Sequence, residues 1–162
     1  MMKRIALLMF ALTVLTGCTM LEKPRNKEFT HSGCASNVEY APGVPTKADS
    51  EVSLLTLIYE DGDLRVTRTN AYMNCSITKY GMECKMFVMD DVIYYEVVES
   101  DGPSANCRCL VKEMSSVVTG LKTGKKYKFD YYCSSDHKCY EFEFQEGIRV
   151  IIDMTPHYTT YD

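Results

Sequence analysis

The chain has no tryptophan, only three histidines among 162 residues, and no Cys-x-x-Cys pair despite its eight cysteines. Without Cys-x-x-Cys at a helix start it lacks the thiol couple of a disulfide oxidoreductase, in which the helix dipole lowers the thiol pKa. His31, His137 and His157 show no ligand spacing with the cysteines, which argues against zinc. No serine or cysteine stands in a recognisable nucleophile elbow with a base and an orienting group, so a triad hydrolase is not expected. A basic face is also missing: the net charge is −4 and the lysines and arginines are scattered, which argues against nucleic acid. Sustained 3.6-residue periodicity is absent throughout, so no amphipathic helix is expected.

What is present begins with Lys3 and Arg4, the apolar run IALLMFALTVL (5–15) and then LTGC (15–18). The run is too short to span a bilayer and reads as the core of a secretory signal. LTGC resembles the bacterial lipobox. The resemblance implies cleavage before Cys18, diacylation of its thiol and acylation of the new amino group. An ordinary signal with an incidental cysteine is the weaker reading, because charge, apolar length and box occur in order. Several acyl chains anchor a protein stably where one does not. Thr19, standing where an Asp would signal inner-membrane retention, favours the outer membrane by resemblance to Gram-negative lipoproteins. Loss of the signal removes two bases and no acid, making the chain still more acidic.

Residues 1–17 are thus expected to be a signal peptide and 18–50 a lipidated cysteine with a flexible tether. TMLEKPRNKEFTHSG (19–33) is polar without a period, and APGVPTKADS (41–50) carries two prolines and a glycine. A β-domain is expected over 51–154 and a loose tail over 155–162.

From residue 51 the pattern has period 2. EVSLLTLIY and LRVTRTNAYM flank EDGD (60–63), whose Asp61-Gly62 is a strong hairpin signal. A strand is expected near 71–79, then CKMFVM (84–89), the turn Asp90-Asp91 and VIYYEVVE (92–99). Another strand runs from 107 toward SSVVTG. KYKFDYYC (126–133) and CYEFEF (139–144) form a hairpin around SSDHK, and IRVIID (148–153) is the last strand. About eight short strands joined by turn residues predict an all-β, antiparallel, immunoglobulin-like sandwich. Leu121, six residues before Tyr127 at the start of an aromatic strand, is placed as in a tyrosine corner. The plainer reading makes both of them ordinary core residues.

NAYMNC (70–75), VIYYEVVE (92–99), CRC (107–109) and GLKTGKKYKF (120–129), in this order behind a lipobox, resemble small uncharacterised lipoproteins of Bacteroides-type bacteria. The resemblance covers about half the chain and implies no activity. Those relatives often carry paired cysteines after the Asn. Here Ser76 takes the second place, so their pairing does not carry over whole.

An extracytoplasmic compartment makes disulfides the default for Cys34, Cys75, Cys84, Cys107, Cys109, Cys133 and Cys139. Cys107 and Cys109, two apart on a strand, are too distant for easy bonding to each other and need partners elsewhere, with Cys75 and Cys84 as candidates. Cys133 and Cys139 flank a hairpin loop and are expected to pair, leaving Cys34 as the odd thiol. The rival is soft-metal handling, copper above all, by Cys84, Cys107 and Cys109 with Met82 and Met86 on the same strand face. Methionines at period 2 are more often core filling. His137, beside Asp136 and Ser135, reads as a solvated loop residue, and the acidic turns EDGD and MDD read as hairpin turns rather than Ca²⁺ loops. The sequence therefore predicts a lipid-anchored, non-enzymatic binding or assembly module without cofactor or metal. Its expected partners are the membrane, through the anchor, and an envelope protein or glycan.

Overall fold

The computed structural model describes residues 23–39, 51–100, 102–105, 107–134 and 136–155. Cys18, the expected signal peptide and most of the expected tail lie outside the described residues. Among the described residues, ten strands form two sheets, with one short helix between β4 and β5: β1 (Arg25–His31), β2 (Cys34–Glu39), β3 (Leu54–Glu60), β4 (Asp63–Asn74), α1 (Ile77–Tyr80), β5 (Met82–Met89), β6 (Val92–Glu99), β7 (Cys107–Thr119), β8 (Lys125–Cys133), β9 (Asp136–Phe144) and β10 (Arg149–Asp153). The larger sheet runs β1-β7-β4-β3-β10, with β2 also paired to β7. The smaller runs β5-β6-β8-β9.

The turn chemistry is local. Asp61 (φ 51°) and Gly62 (φ 89°) both take the left-handed conformation that a two-residue hairpin requires, and so do Asp90 (φ 49°) and Asp91 (φ 66°). Strand alternation then sorts the faces. Leu55 and Leu57 on β3, Leu64 and Val66 on β4, and Met114 and Val118 on β7 face Ile93, Tyr95, Val97, Tyr127, Phe129, Tyr131 and Phe144 of the other sheet. Each fully buried side chain of this kind contributes roughly 1.5–3 kcal/mol.

Three departures from the sequence reading have physical causes. The segment read as tether contains β1 and β2, because the thirteen-residue β7 is long enough to pair with both along one edge. Phe29 packs against the core, and Cys34 bonds to β7. The strand expected near 71–79 is instead the end of a twelve-residue β4 followed by α1, with Thr78 and Tyr80 bonding back to Cys75 and Ser76. The sheets are not wholly antiparallel: β6 and β8 pair in parallel, since β7, which joins them, crosses in the opposite sheet.

Candidate functional site

Two disulfides gather at the end of the sandwich where β4 passes into α1. Cys75 bonds Cys107 and Cys34 bonds Cys109. The two-residue spacing of CRC thus serves two separate partners. Asn74 completes this end: its side chain bonds both the N–H and the C=O of Ala105 and accepts the N–H of Ser76. Glu99 accepts the backbone N–H of Asn74 at 2.8 Å and the Ser76 hydroxyl. Gly102 lies flat on the Tyr80 ring, where a Cβ would stand 2.4 Å from the ring carbon Cδ2.

This connectivity corrects the expected one. Cys34 is bonded, while Cys84, Cys133 and Cys139 are free thiols. Cys133 and Cys139 cannot meet because the hairpin turn is two residues long rather than five. Cys133 pairs with Asp136 and Cys139 with Asp130, and the two thiols point to opposite faces. Cys133 is buried, with Sγ 3.4 Å from Met73 Sδ, and Cys139 is exposed. Cys84 sits in register with Val97, which is in register with Cys133, so one strand separates the two inner thiols. Burial, above all, pushes both Cys84 and Cys133 up to about 11. Met82, Cys84 and Met86 all pack with the core, and among the described residues no group of three His, Cys, Asp or Glu side chains is placed to hold a metal ion.

A polar cluster crosses the core and has no clear signal in the sequence. Arg68 lies on the inner face of β4, only 3% exposed, bonded to Asp136, to the Ser53 hydroxyl and to the carbonyl of Thr69. Among the described residues, neither Arg68 Nε nor the buried Tyr131 hydroxyl has a hydrogen-bond partner. Nearby, the Tyr95 and Ser116 hydroxyls bond at 2.5 Å between the sheets. Burial raises the phenols of Tyr95 and Tyr131 well above their ordinary value. The Tyr127 hydroxyl accepts the backbone N–H of Lys122 at 3.0 Å, and Leu121, the residue before Lys122, is buried.

The outer face of the four-stranded sheet is the surface most equipped for contact. Cross-strand register sets Phe87 beside Tyr94, stacked at 4.7 Å between ring centroids, and Tyr132 beside His137, stacked at 4.2 Å. Asp130, on the same face, accepts a hydrogen bond from the Tyr132 hydroxyl at 3.4 Å and lies 2.7 Å from His137 Nε2. Partial desolvation, then the Asp130 charge, raise the Tyr132 phenol. His137 is therefore a strand residue held by its neighbours rather than a loop residue, and it is exposed as expected. Its position was hidden because the turn is shorter than SSDHK suggests. Below this face, where the β5–β6 hairpin stops and β8 and β9 continue, lies a cleft of about 520 Å³ walled by Asp90, Asp91, Lys126, Lys128, Glu141 and Glu143.

No family model matches the chain, and neither the curated proteins nor the solved structures contain a match.

Proposed function

We propose that the chain is a lipid-anchored, non-enzymatic binding or assembly module of the cell envelope. Acyl chains on Cys18 hold it at the outer membrane, and it meets its partner through the outer face of the four-stranded sheet. The observation that carries the contact surface is the Tyr132–His137 ring stack, set around Asp130 on the β8–β9 part of that exposed face. Aromatic side chains that keep an apolar body and a polar tip in water are suited to a protein or glycan surface. The lipobox supports the compartment, and the resemblance to Bacteroides-type lipoproteins agrees with it. The Tyr127–Lys122 bond supports an immunoglobulin-like reading of the two-sheet fold, with the parallel β6–β8 pair as a variation on it.

The thiol or copper alternative finds less support. Disulfides occupy Cys107 and Cys109, so neither offers a thiolate, and of that set only Cys84 keeps a thiol.

The test compares the acylated protein with a Tyr132→Ala/His137→Ala variant of equal melting temperature, each mixed with isolated envelope. Retention on purified glycan reports a glycan partner, and cross-linking to a defined protein reports a protein partner. The reading expects saturable binding by one route, lost in the variant. Equal binding by both proteins would overturn it.

A further inference from the structure

We infer that one corner of the sandwich, formed by Phe87 and Met89 on β5 and by Lys23, Arg25 and Lys27 at the start of β1, rests on the surface of the bilayer that holds the acyl chains. The inference rests on lipidation of Cys18. It adds which part of the domain touches lipid.

Chain length keeps one end of the domain close to the bilayer. From Cys18 to Arg25 there are seven residue steps, which even fully extended reach at most about 25 Å. The end of the domain that contains Arg25 is therefore held within a tether's length of the headgroups.

Strand register identifies what shares that end. Arg25 pairs with Thr119, the last residue of β7, and the chain then turns through 120–124 into Lys125 at the start of β8. Val92, at the start of β6, pairs with both Lys128 and Met89. Met89 and the Asp90-Asp91 turn thus lie toward the same end as Arg25. They also lie on the same side, because β1 packs against β5 across the sandwich.

The chemistry of the corner fits a lipid interface. Phe87 is 56% exposed and Met89 is 54% exposed, on alternate positions of an edge strand, and so form one small apolar strip. Lys23, Arg25 and Lys27 are exposed at the start of β1, the strand that packs against β5. Basic side chains bury their stems and keep their charges at an anionic headgroup layer, while aromatic and thioether groups enter the boundary below. The acids of this end are Glu28, Asp90 and Asp91 near the corner and Glu60, Asp61 and Asp63 on the β3–β4 hairpin; Asp91 is ion-paired with Lys125 and Glu60 with Arg65. The opposite edge, β9, carries no comparable basic strand.

Because the chain has no tryptophan, single reporters can test the contact. Phe87→Trp and, on the far edge, Tyr140→Trp are each made in the acylated full chain. Both are reconstituted in vesicles of phosphatidylethanolamine and phosphatidylglycerol containing brominated phosphatidylcholine. The expected result is that the Phe87→Trp reporter shifts to shorter wavelength and loses most of its emission, while the Tyr140→Trp reporter keeps its own. Protein that floats with the vesicles but leaves the Phe87→Trp reporter unquenched overturns the corner and spares the anchor. Equal quenching at both sites overturns it as well. Protein that carries no acyl chain and does not float overturns the anchor and this inference together.

Discussion

Arg68 on β4 and Asp136 at the start of β9 meet at 2.7 Å between guanidinium Nη2 and carboxylate Oδ2, and so tie the six-stranded sheet to the four-stranded one through the core. A buried ion pair contributes little net energy, but breaking it from one side strands the other charge. Asp136→Ala is therefore expected to destabilise by about 3 kcal/mol. Arg68→Met, which removes the buried charge itself, should cost clearly less. Urea melts of the two variants check the order, and equal losses would mean that the pair does not act as described.

Two tyrosines in β8, four residues apart, should respond oppositely to loss of the hydroxyl. Tyr127 holds the Lys122 N–H, so Tyr127→Phe should cost roughly 0.5–1.5 kcal/mol. Tyr131 is fully buried and its hydroxyl has no partner among the described residues, so Tyr131→Phe should be neutral or stabilising. Thermal melts of both variants decide the matter.

Thiol counting tests the connectivity. Without reductant, the folded protein should alkylate at Cys139 alone, and unfolding should add Cys84 and Cys133. Peptide mapping should recover the pairs Cys34–Cys109 and Cys75–Cys107. Reduction of either bridge, which closes a long loop, should lower stability by about 4 kcal/mol. Recovery of a Cys133–Cys139 peptide would contradict the β8–β9 register.

The buried thiols also set an alkaline limit. Folding raises Cys84 and Cys133 from an ordinary 9.0 to about 11, so between these values the unfolded chain ionises while the folded chain stays neutral. The unfolded state then binds fewer protons, and stability, unaffected below pH 9, falls as pH rises toward about 11. Cys84→Ser/Cys133→Ala should flatten that fall in denaturant titrations, though Tyr95 and Tyr131 retain a share of it.

Sequence pattern carries the β class because alternation and turn chemistry are local. Asp61-Gly62, the Asp90-Asp91 turn and the faces of Tyr127, Phe129 and Tyr131 follow from neighbours in the chain. Long-range pairing was not legible. Nothing in RNKEFTH reveals that it borders β7, and so Cys34 looked unpaired. One turn residue more or less reverses a face, and misjudging the length of SSDHK misplaced Cys133, Cys139 and His137 together. Arg68 in a β-strand ordinarily reads as solvated, and only its distant acceptors, Ser53 and Asp136, explain its burial.

Metabolic labelling with palmitate of cells producing the native chain and Cys18→Ser tests the anchored module most directly. The account predicts a labelled native protein in the outer-membrane fraction and an unlabelled Cys18→Ser protein outside the membrane fraction. Palmitate retained by Cys18→Ser, or a native protein without label, would contradict it.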